Sequence, residues 1–254
     1  MGIADFKARM LAGDMLAGTF LKTPAYELIE VLSQSGLDFL CLDAEHSAFD
    51  RARMDACLAL SRALDFPVLV RPGAATPQDI LQALDAGATG IVAPHVDSPE
   101  KAEAVAKAGH FGLGGRGYAG STRWAGFATR KMSDVLAQDD QTVMIAQIEE
   151  PAGVDHAETI AATPGIDGLF LGPADLSVGY GHEDQGSADL AAAYEKCGEA
   201  ARKAGCAYMT FVGNAAQAEA LAHHGLTMFF IASEHSWMRS GAAAEAMGIH
   251  EIKS

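Results

Sequence analysis

The chain has 254 residues, with 18 Lys and Arg against 33 Asp and Glu, so its formal net charge at pH 7 is −15. A general nucleic-acid binder is excluded, because such proteins gain most of their affinity by placing cations against phosphates. Hydrophobic residues make up 49% of the chain and charged residues 20%, a composition typical of a globular protein with a large core. One α/β barrel, of about 250 residues, would use the whole chain.

The first twenty residues interrupt every apolar stretch with Asp, Lys, Arg or Gly. They therefore predict neither a signal peptide nor a membrane span, and we expect a cytoplasmic protein without a membrane partner. The four cysteines show no CxxC pairing and no clustering with histidines; they are Cys41, Cys57, Cys197 and Cys206. In a reducing compartment this pattern predicts buried thiols without a metal or redox role.

Eight short runs rich in aliphatic and β-branched residues predict strands, and most lack polar alternation, as is typical of strands buried on both faces of a parallel sheet. In chain order they are Met15 to Leu21, Phe39 to Asp43, Val68 to Arg71, Gly90 to Val96, Val143 to Glu149, Gly168 to Gly172, Ala207 to Gly213 and Met228 to Ser233. Between them, helical spacing predicts helices at Ala25 to Ser35, Arg51 to Leu64, Pro77 to Ala86, Pro99 to Ala108, Asp189 to Ala204 and Ala215 to His224. Proline follows a Thr or Ser cap at two of these helix starts, Thr76-Pro77 and Ser98-Pro99.

Strict alternation of strands and helices predicts parallel strands joined by right-handed crossovers. The expected fold is a (β/α)8 TIM barrel of the α/β class, with residues 1–254 as a single domain. An open doubly wound sheet is the alternative, but it would need a glycine fingerprint after its first strand, and none is present there. Residues 111–140 form a Gly-rich excursion, interpreted as an active-site or subunit-contact segment, and residues 236–254 are predicted to form a C-terminal helical tail.

Ionisable side chains fall at the carboxyl ends of five successive predicted strands, where the catalytic groups of barrel enzymes cluster. These strand ends are Asp43-Ala44-Glu45-His46, Arg71, Pro94-His95, Gln147-Ile148-Glu149 and Gly172-Pro173-Ala174-Asp175. Glu149 and Asp175 come from neighbouring strands, so their carboxylates are expected to converge on one hard divalent cation such as Mg²⁺, Mn²⁺ or Co²⁺. The alternative is a structural network in which buried arginines, Arg71 and Arg116 being the candidates, hold the two carboxylates.

Two cationic or basic groups complete the candidate chemistry. His46 follows two acids and suits a general base working near neutral pH, although a hydrogen-bonded structural histidine is the alternative. Arg71 stands alone at the end of its strand, where its guanidinium would stabilise charge developing on an enolate oxygen.

The stretch Gly112 to Gly117 satisfies GxGxxG but follows a helix end, so flexible backbone near a substrate or close subunit packing is favoured over a dinucleotide site.

An ordered set of motifs resembles the HpcH/HpaI aldolases, the metal-dependent class II pyruvate aldolases that cleave 4-hydroxy-2-oxo acids. The resemblance extends from about Leu16 to Glu234 and rests on six segments: Asp43-Ala44-Glu45-His46, Val70-Arg71-Pro72, Asp85-Ala86-Gly87-Ala88, Gly114-Gly115-Arg116-Gly117, Gln147-Ile148-Glu149 and Gly172-Pro173-Ala174-Asp175-Leu176-Ser177. Each motif alone is weak, whereas the ordered set is specific.

The resemblance implies a role for each matching residue. The metal would be held by Glu149 and Asp175, and Arg71 would steady the C2 oxygen of pyruvate as its enolate forms. Proton movement would be governed by His46, backed by carboxylates at Asp43 and Asp85. The resemblance also implies that Gln147 lies near the metal, that backbone N–H groups at Ala174 and Asp175 receive the substrate carboxylate, and that the protein is a hexamer, a trimer of dimers with a terminal helix exchanged between neighbours.

The expected function is a reversible aldol cleavage giving pyruvate, or hydroxypyruvate, and an aldehyde through a metal-stabilised enolate. A Schiff-base lysine is the other way to stabilise such an enolate, but no lysine is predicted at a strand end, with Lys22 at the edge of the first strand. Two alternatives are a CoA-thioester lyase of the citrate lyase beta or malyl-CoA lyase type, for which the acidic chain offers few phosphate-binding cations, and a non-catalytic barrel. His95 and the segment Tyr118 to Phe127 depart from the family pattern near the expected aldehyde end, so the aldehyde stays open.

Overall fold

The computed structural model describes residues 2–252, whose eight strands form one closed barrel. The order of strands around the barrel is the order in the chain, every neighbouring pair is parallel, and β1 closes on β8. The strands are β1 (Leu16–Leu21), β2 (Phe39–Asp43), β3 (Val68–Arg71), β4 (Gly90–Ala93), β5 (Val143–Ile148), β6 (Gly168–Leu171), β7 (Ala207–Val212) and β8 (Met228–Ser233). The predicted (β/α)8 barrel is confirmed.

The helices surround the barrel and alternate with the strands. They are α1 (Ile3–Leu11), α2 (Tyr26–Ser33), α3 (Arg51–Ala63), α4 (Pro77–Ala86), α5 (Pro99–Gly109), α6 (Met132–Ala137), α7 (Pro151–Asp155), α8 (Ala157–Ala161), α9 (Pro173–Gly179), α10 (Ala188–Ala204), α11 (Ala215–Leu221) and α12 (Glu234–His250), with 3-10 turns at Gln138–Gln141 and Ala222–His224. The predicted caps form: Thr76 accepts from the backbone N–H of Asp79, and Ser98 accepts from that of Lys101.

Several elements differ from the sequence prediction. Helix α1 was not predicted, and the predicted C-terminal tail begins two residues earlier, at Glu234, while Lys253 and Ser254 lie outside the described residues. Strand β4 ends at Ala93 and not at Val96. The reason is local: His95 has a φ of 57°, and a left-handed residue cannot continue a strand.

The barrel interior is filled by a cluster of buried side chains in which aromatic rings dominate. Phe230 lies at its centre, with ring centroids 4.9 Å from Phe20 and 4.8 Å from Phe170. Phe6 and Met10 of α1 belong to the same cluster, and Lys7 Nζ of that helix contacts Asp167 Oδ1, just before β6, at 2.8 Å. Helix α1 therefore covers the amino-terminal end of the barrel, and the carboxyl-terminal end is the mouth.

Residues 111–140 connect α5 to β5, so they lie at the amino-terminal end of the barrel, away from the mouth. Arg116 Nη2 donates to Asp85 Oδ1 over 2.6 Å, and Asp85 is in the last turn of α4. Trp124 is buried there, whereas Phe127 is 63% exposed. Residues 111–140 therefore do not belong to the active site of their own chain. Their other expected role, a contact between subunits, stays a prediction.

Two further expectations concern membranes and cysteines. Within residues 2–252 no helix combines the length and the apolar character needed to cross a membrane.

The cysteines are free, with Cys41, Cys57 and Cys197 buried and Cys206 half-buried. Burial raises the pKa of the Cys57 thiol to about 11 and that of Cys197 to about 12, so both are inert thiols at neutral pH.

Candidate active site

An ion pair between adjacent strands lies at the base of the mouth. The register of β2 and β3 places Asp43 beside Arg71, with Nη2 2.9 Å from Oδ2 and Nε 3.1 Å from Oδ1. The guanidinium lies over the ring of Phe20, 4.4 Å from its centroid. Arg71 is thus held on one side by a carboxylate and below by an aromatic face, which leaves little freedom in its orientation.

Asp43 is fully buried, and two cations compensate its charge. The second is Lys22, whose Nζ lies 2.7 Å from Asp43 Oδ2. Burial opposes ionisation of Asp43, but the hydrogen bonds and charges of Arg71, together with the hydrogen bond from Lys22, outweigh it and lower the pKa of the carboxyl. Burial likewise opposes the charge on Arg71, yet Asp43 raises the pKa of the guanidinium, so both groups are ionised at neutral pH.

Lys22 corrects the expectation that no lysine stands at a strand end. It directly follows β1, and its backbone N–H, with that of Thr23, donates to the buried carboxylate of Glu234 at the start of α12. This anchor fixes the lysine where its side chain reaches Asp43. Because Lys22 is bound in this ion pair, its position gives no reason to favour a Schiff-base mechanism over a metal-dependent one.

Glu45 lies in the loop after β2, and its side chain is only 8% exposed. Its Oε2 is 3.2 Å from Arg71 Nε, and its Oε1 is 3.3 Å from His95 Nε2. Glu45 therefore connects the cationic side of the mouth to a second group of acids. The sequence analysis assigned no role to Glu45 itself. The residue lies in a loop, and the alternation that predicts which way a side chain points along a strand does not apply there.

Glu149 directly follows β5 and is 3% exposed. Its Oε1 accepts a hydrogen bond from the backbone N–H of His95 over 2.7 Å, and its Oε2 accepts one from the side-chain amide of Gln147. Burial raises the pKa of the Glu149 carboxyl above its ordinary value, although the hydrogen bond from His95 and the charge of its ring oppose the shift. Within residues 2–252 its polar contacts come from these two residues and not from an arginine, as the structural alternative would require.

Glu45, His95 and Glu149 form a group that could hold a metal ion: each offers one donor atom, and these atoms all lie within 4.8 Å of one another. Two carboxylates and an imidazole are donors that divalent metals use in proteins. Gln147, which is 1% exposed, leaves its buried Oε1 without a hydrogen-bond partner while its Nε2 contacts Glu149. Buried acceptors are normally satisfied, so this orphaned oxygen fits a site that receives a hydrated cation or a substrate.

Asp175 is not a member of that group; it is exposed in the first turn of α9. The ends of β5 and β6 are nevertheless close, because a Cβ built on Gly172 would lie 3.1 Å from Glu149 Cβ. Glycine at this position lets α9 begin beside the glutamate. The backbone N–H groups of Ala174 and Asp175 belong to the first turn of α9, where N–H groups lack acceptors within the helix.

The structure brings His46 and Asp43 together but leaves Asp85 apart. The backbone N–H of His46 donates to Asp43 Oδ1 over 3.1 Å, and the half-exposed ring lies 3.6 Å from Glu45 Oε2. Asp85 is bound to Arg116 near the amino-terminal end of the barrel. Since α4 runs from the mouth to the opposite end, an aspartate in its last turn does not reach His46 of the same chain.

Comparisons with known proteins agree with this architecture. Residues 16–240 match the family model described as HpcH/HpaI aldolase/citrate lyase. A hydroxypyruvate/pyruvate aldolase of Paraburkholderia phytofirmans is 32% identical over 98% of this chain and 97% of its own length. A 5-keto-4-deoxy-D-glucarate aldolase of Escherichia coli is 37% identical over 70% of this chain and 69% of its own.

A solved structure gives the same result for the fold. The crystal structure of a family protein from Burkholderia cenocepacia superimposes with a TM-score of 0.92 at 31% identity, covering 98% of this chain and all of the other. The agreement extends over the barrel and its strand ends, not over an isolated motif. The chain therefore belongs to the HpcH/HpaI aldolase/citrate lyase family.

Proposed function

We propose that this protein is a metal-dependent class II pyruvate aldolase that reversibly cleaves a 4-hydroxy-2-oxo acid to pyruvate, or hydroxypyruvate, and an aldehyde. The observation that carries the proposal is the meeting of the oriented guanidinium of Arg71 with the Glu45, His95 and Glu149 group at one barrel mouth. The names of the relatives, hydroxypyruvate/pyruvate aldolase and 5-keto-4-deoxy-D-glucarate aldolase, support the reaction class.

The cation belongs at the mouth beside Glu149. In the proposal Glu149 and Asp175, from the ends of neighbouring strands, hold a Mg²⁺, Mn²⁺ or Co²⁺ ion, and Glu45 lies within reach of the same place. When bound, the ion supplies a Lewis acid that polarises the 2-oxo group of the substrate. The raised pKa of Glu149 is consistent with a carboxylate that is incompletely compensated until a cation binds.

Arg71 supplies the second positive charge. Its contacts with Asp43 occupy Nε and one terminal nitrogen, and its cation is permanent at neutral pH. In the proposed reaction its guanidinium donates to the C2 oxygen of the 2-oxo acid, where negative charge develops as the C3–C4 bond breaks. The amide nitrogen of Gln147 donates a hydrogen bond to Glu149, and its amide oxygen, Oε1, is left to accept a hydrogen bond from the substrate.

His46 is the proposed group for proton movement. Its ring is 55% exposed at the mouth, while its backbone is tied to Asp43. A partly exposed imidazole can accept the proton of the C4 hydroxyl during cleavage and return it during synthesis. The backbone N–H groups of Ala174 and Asp175 are proposed to receive the substrate carboxylate.

We also propose that the chain assembles into a homo-oligomer, with the family's trimer of dimers as the expected form. Helix α12 supports this: only Glu234 at its start is buried, and its apolar side chains Met238, Met247 and Ile249 are all more than half exposed. Large exposed apolar side chains on one terminal helix are typical of a surface that packs against another subunit. The contact expected of residues 111–140 belongs to the same proposal.

The experiment is a pyruvate-release assay coupled to lactate dehydrogenase, run with Mg²⁺, Mn²⁺ and Co²⁺ on a panel of 4-hydroxy-2-oxo acids. The proposal predicts NADH oxidation with at least one member of the panel and its loss in the Arg71→Ala variant. The same preparation is offered malyl-CoA and citramalyl-CoA. Cleavage of a CoA thioester without release of pyruvate from any free acid would replace the proposal by the CoA-thioester lyase.

A further inference from the structure

We infer that His95 supplies an imidazole nitrogen to the divalent cation at the barrel mouth, and that this nitrogen shifts the preference of the site toward Co²⁺ and Zn²⁺ and away from Mg²⁺. The inference rests on the metal dependence proposed above. It adds a ligand to the proposed carboxylates Glu149 and Asp175 and gives a role to the histidine that follows β4.

The ring of His95 lies between two glutamates, and each of its nitrogens faces one of them. Its Nε2 lies 3.3 Å from Glu45 Oε1, and its Nδ1 lies 3.2 Å from Glu149 Oε1. Two donor atoms that sit at right angles, each about 2.1 Å from one cation, are about 3 Å apart. The two measured distances belong to different ring nitrogens, and for one nitrogen with one oxygen from each glutamate the three donor atoms lie within 4.8 Å of one another. Rotation of the exposed ring and of the carboxylates would bring these three atoms to the spacing of ligands on one ion.

The backbone of His95 is bent to put the ring in this position. Its φ of 57° lies in the left-handed region, and its N–H is fixed by Glu149 Oε1. The side chain is 56% exposed, so packing in the core does not account for the conformation. Strained backbone of this kind concentrates at functional sites, where surrounding contacts hold it.

Within residues 2–252, the polar contacts of the His95 ring are all with acids. Besides Glu45 and Glu149, the Nδ1 atom of His95 lies 2.9 Å from Glu150 Oε1. Three carboxylates around one exposed imidazole form a negative environment that attracts a cation. A structural imidazolium has two N–H donors and would engage at most two of these three acids.

Gln147 gives an independent indication of a ligand here. It is buried, it contacts Glu149 through its amide nitrogen, and its Oε1 has no hydrogen-bond partner. A buried amide oxygen beside a metal-binding carboxylate is well placed to accept a hydrogen bond from a water on the cation. The acids, the imidazole and the orphaned oxygen thus all point to the same place.

Ligand chemistry sets the expected preference. Magnesium favours oxygen ligands alone and gives up its waters reluctantly, whereas imidazole suits Zn²⁺ and the later first-row ions. Replacing one oxygen by nitrogen therefore strengthens binding of Co²⁺ and Zn²⁺ more than that of Mg²⁺. The effect concerns binding alone and is measured without substrate.

The first test is pulsed EPR of the full chain loaded with Mn²⁺, which detects the ¹⁴N nucleus of a coordinated imidazole. The wild type is expected to show this coupling and the His95→Asn variant to lose it. Asparagine tolerates the left-handed backbone, so the substitution removes the ring and keeps the loop. His46→Asn is the matched control: it removes the other imidazole near Glu45 and should keep the coupling.

The second test is calorimetric titration of the metal-free proteins with Co²⁺ and with Mg²⁺. His95→Asn should weaken Co²⁺ binding by about 10- to 100-fold and change Mg²⁺ binding less than about threefold. An absent ¹⁴N coupling in the wild type, its persistence in His95→Asn, or equal weakening of both ions would each overturn the inference. Both tests measure metal binding without substrate, so their outcome is separate from that of the aldolase assay. Aldolase activity without nitrogen coupling would contradict only the role of His95, and nitrogen coupling without aldolase activity would contradict only the proposed reaction.

Discussion

Asp43 and Arg71 stand opposite each other on β2 and β3 and are joined by contacts of 2.9 and 3.1 Å, inside a barrel whose other interior side chains are mostly apolar. The pair is buried, and Lys22 completes its charge balance. Such a pair is weak evidence of stability, because desolvation offsets much of the attraction. Its geometry is better explained by the need to hold a guanidinium in one orientation at the mouth.

The Arg71→Ala variant should reduce turnover of the best 4-hydroxy-2-oxo acid by about 100- to 1,000-fold, since one oxyanion donor contributes about 3 to 4 kcal/mol to a transition state. Arg71→Lys is the matched control: it keeps the charge, loses the fork and should retain intermediate activity. Turnover is measured by the coupled assay, and folding by circular dichroism. A loss of less than tenfold in a folded Arg71→Ala protein would remove Arg71 from this role.

Asp43 is predicted to act through Arg71, as a positioning residue. Asp43→Asn should lower turnover and also reduce the free energy of unfolding by about 3 kcal/mol, because it removes the buried anion that Arg71 and Lys22 share. The double variant with Arg71→Ala should be no less active than Arg71→Ala alone. Independent, multiplied losses in that cycle would instead give Asp43 a direct part in the reaction.

Stability should depend on pH through His110. Its Nδ1 lies 3.2 Å from Asp139 Oδ2, and the hydrogen bond to this aspartate raises the pKa of the imidazole above its ordinary value of 6.5. A raised pKa in the folded state means that the stabilisation is full below pH 6.5 and is lost as the pH rises through the folded value. The stability difference between wild type and His110→Gln, from urea unfolding, should therefore be larger at pH 5.5 than at pH 8.5; an equal or reversed difference would contradict this assignment.

Assembly should depend on α12. Light scattering after size exclusion is expected to give a mass several times the 26.5 kDa of one chain. A double variant, Met247→Asp with Ile249→Asp, should shift the protein toward smaller species, because it places charges on exposed apolar positions of the helix. Ser240→Ala, on the same helix, is the control and should not change the mass. A monomeric wild type would refute the assembly.

The sequence was sufficient for the barrel because β2 to β6 are buried throughout and the other three strands are mostly buried, and buried strands appear as short apolar runs. Leu40 and Val70, for example, contact the helical layer, while Cys41 and Leu69 face the interior, so no polar residue breaks either run. Helix α1 was missed because it covers the barrel end and is not part of the alternation. Its buried residues, Phe6 and Met10, show helical spacing that could have identified it.

The site was predicted less completely, since strand ends identify residues but not the directions of loop side chains. Arg71 ends β3 and Glu149 directly follows β5, so both can be identified from their positions alone. His95 reaches Glu45 and Glu149 only because its backbone adopts the left-handed conformation. Asp85 lies at the far end of α4, where it binds Arg116, a residue 31 positions later in the sequence. Neither relationship follows from local pattern.

The most direct measurement is exchange of the methyl protons of pyruvate with D₂O, followed by ¹H NMR in the absence of aldehyde. It tests whether the mouth of this barrel activates C3 of a 2-oxo acid with the help of a divalent cation. We expect rapid exchange with Mn²⁺- or Mg²⁺-loaded protein, none above background after EDTA treatment, recovery on adding the metal back, and loss in Arg71→Ala. Exchange that continues undiminished in the metal-stripped protein, or no exchange in the loaded one, would contradict it.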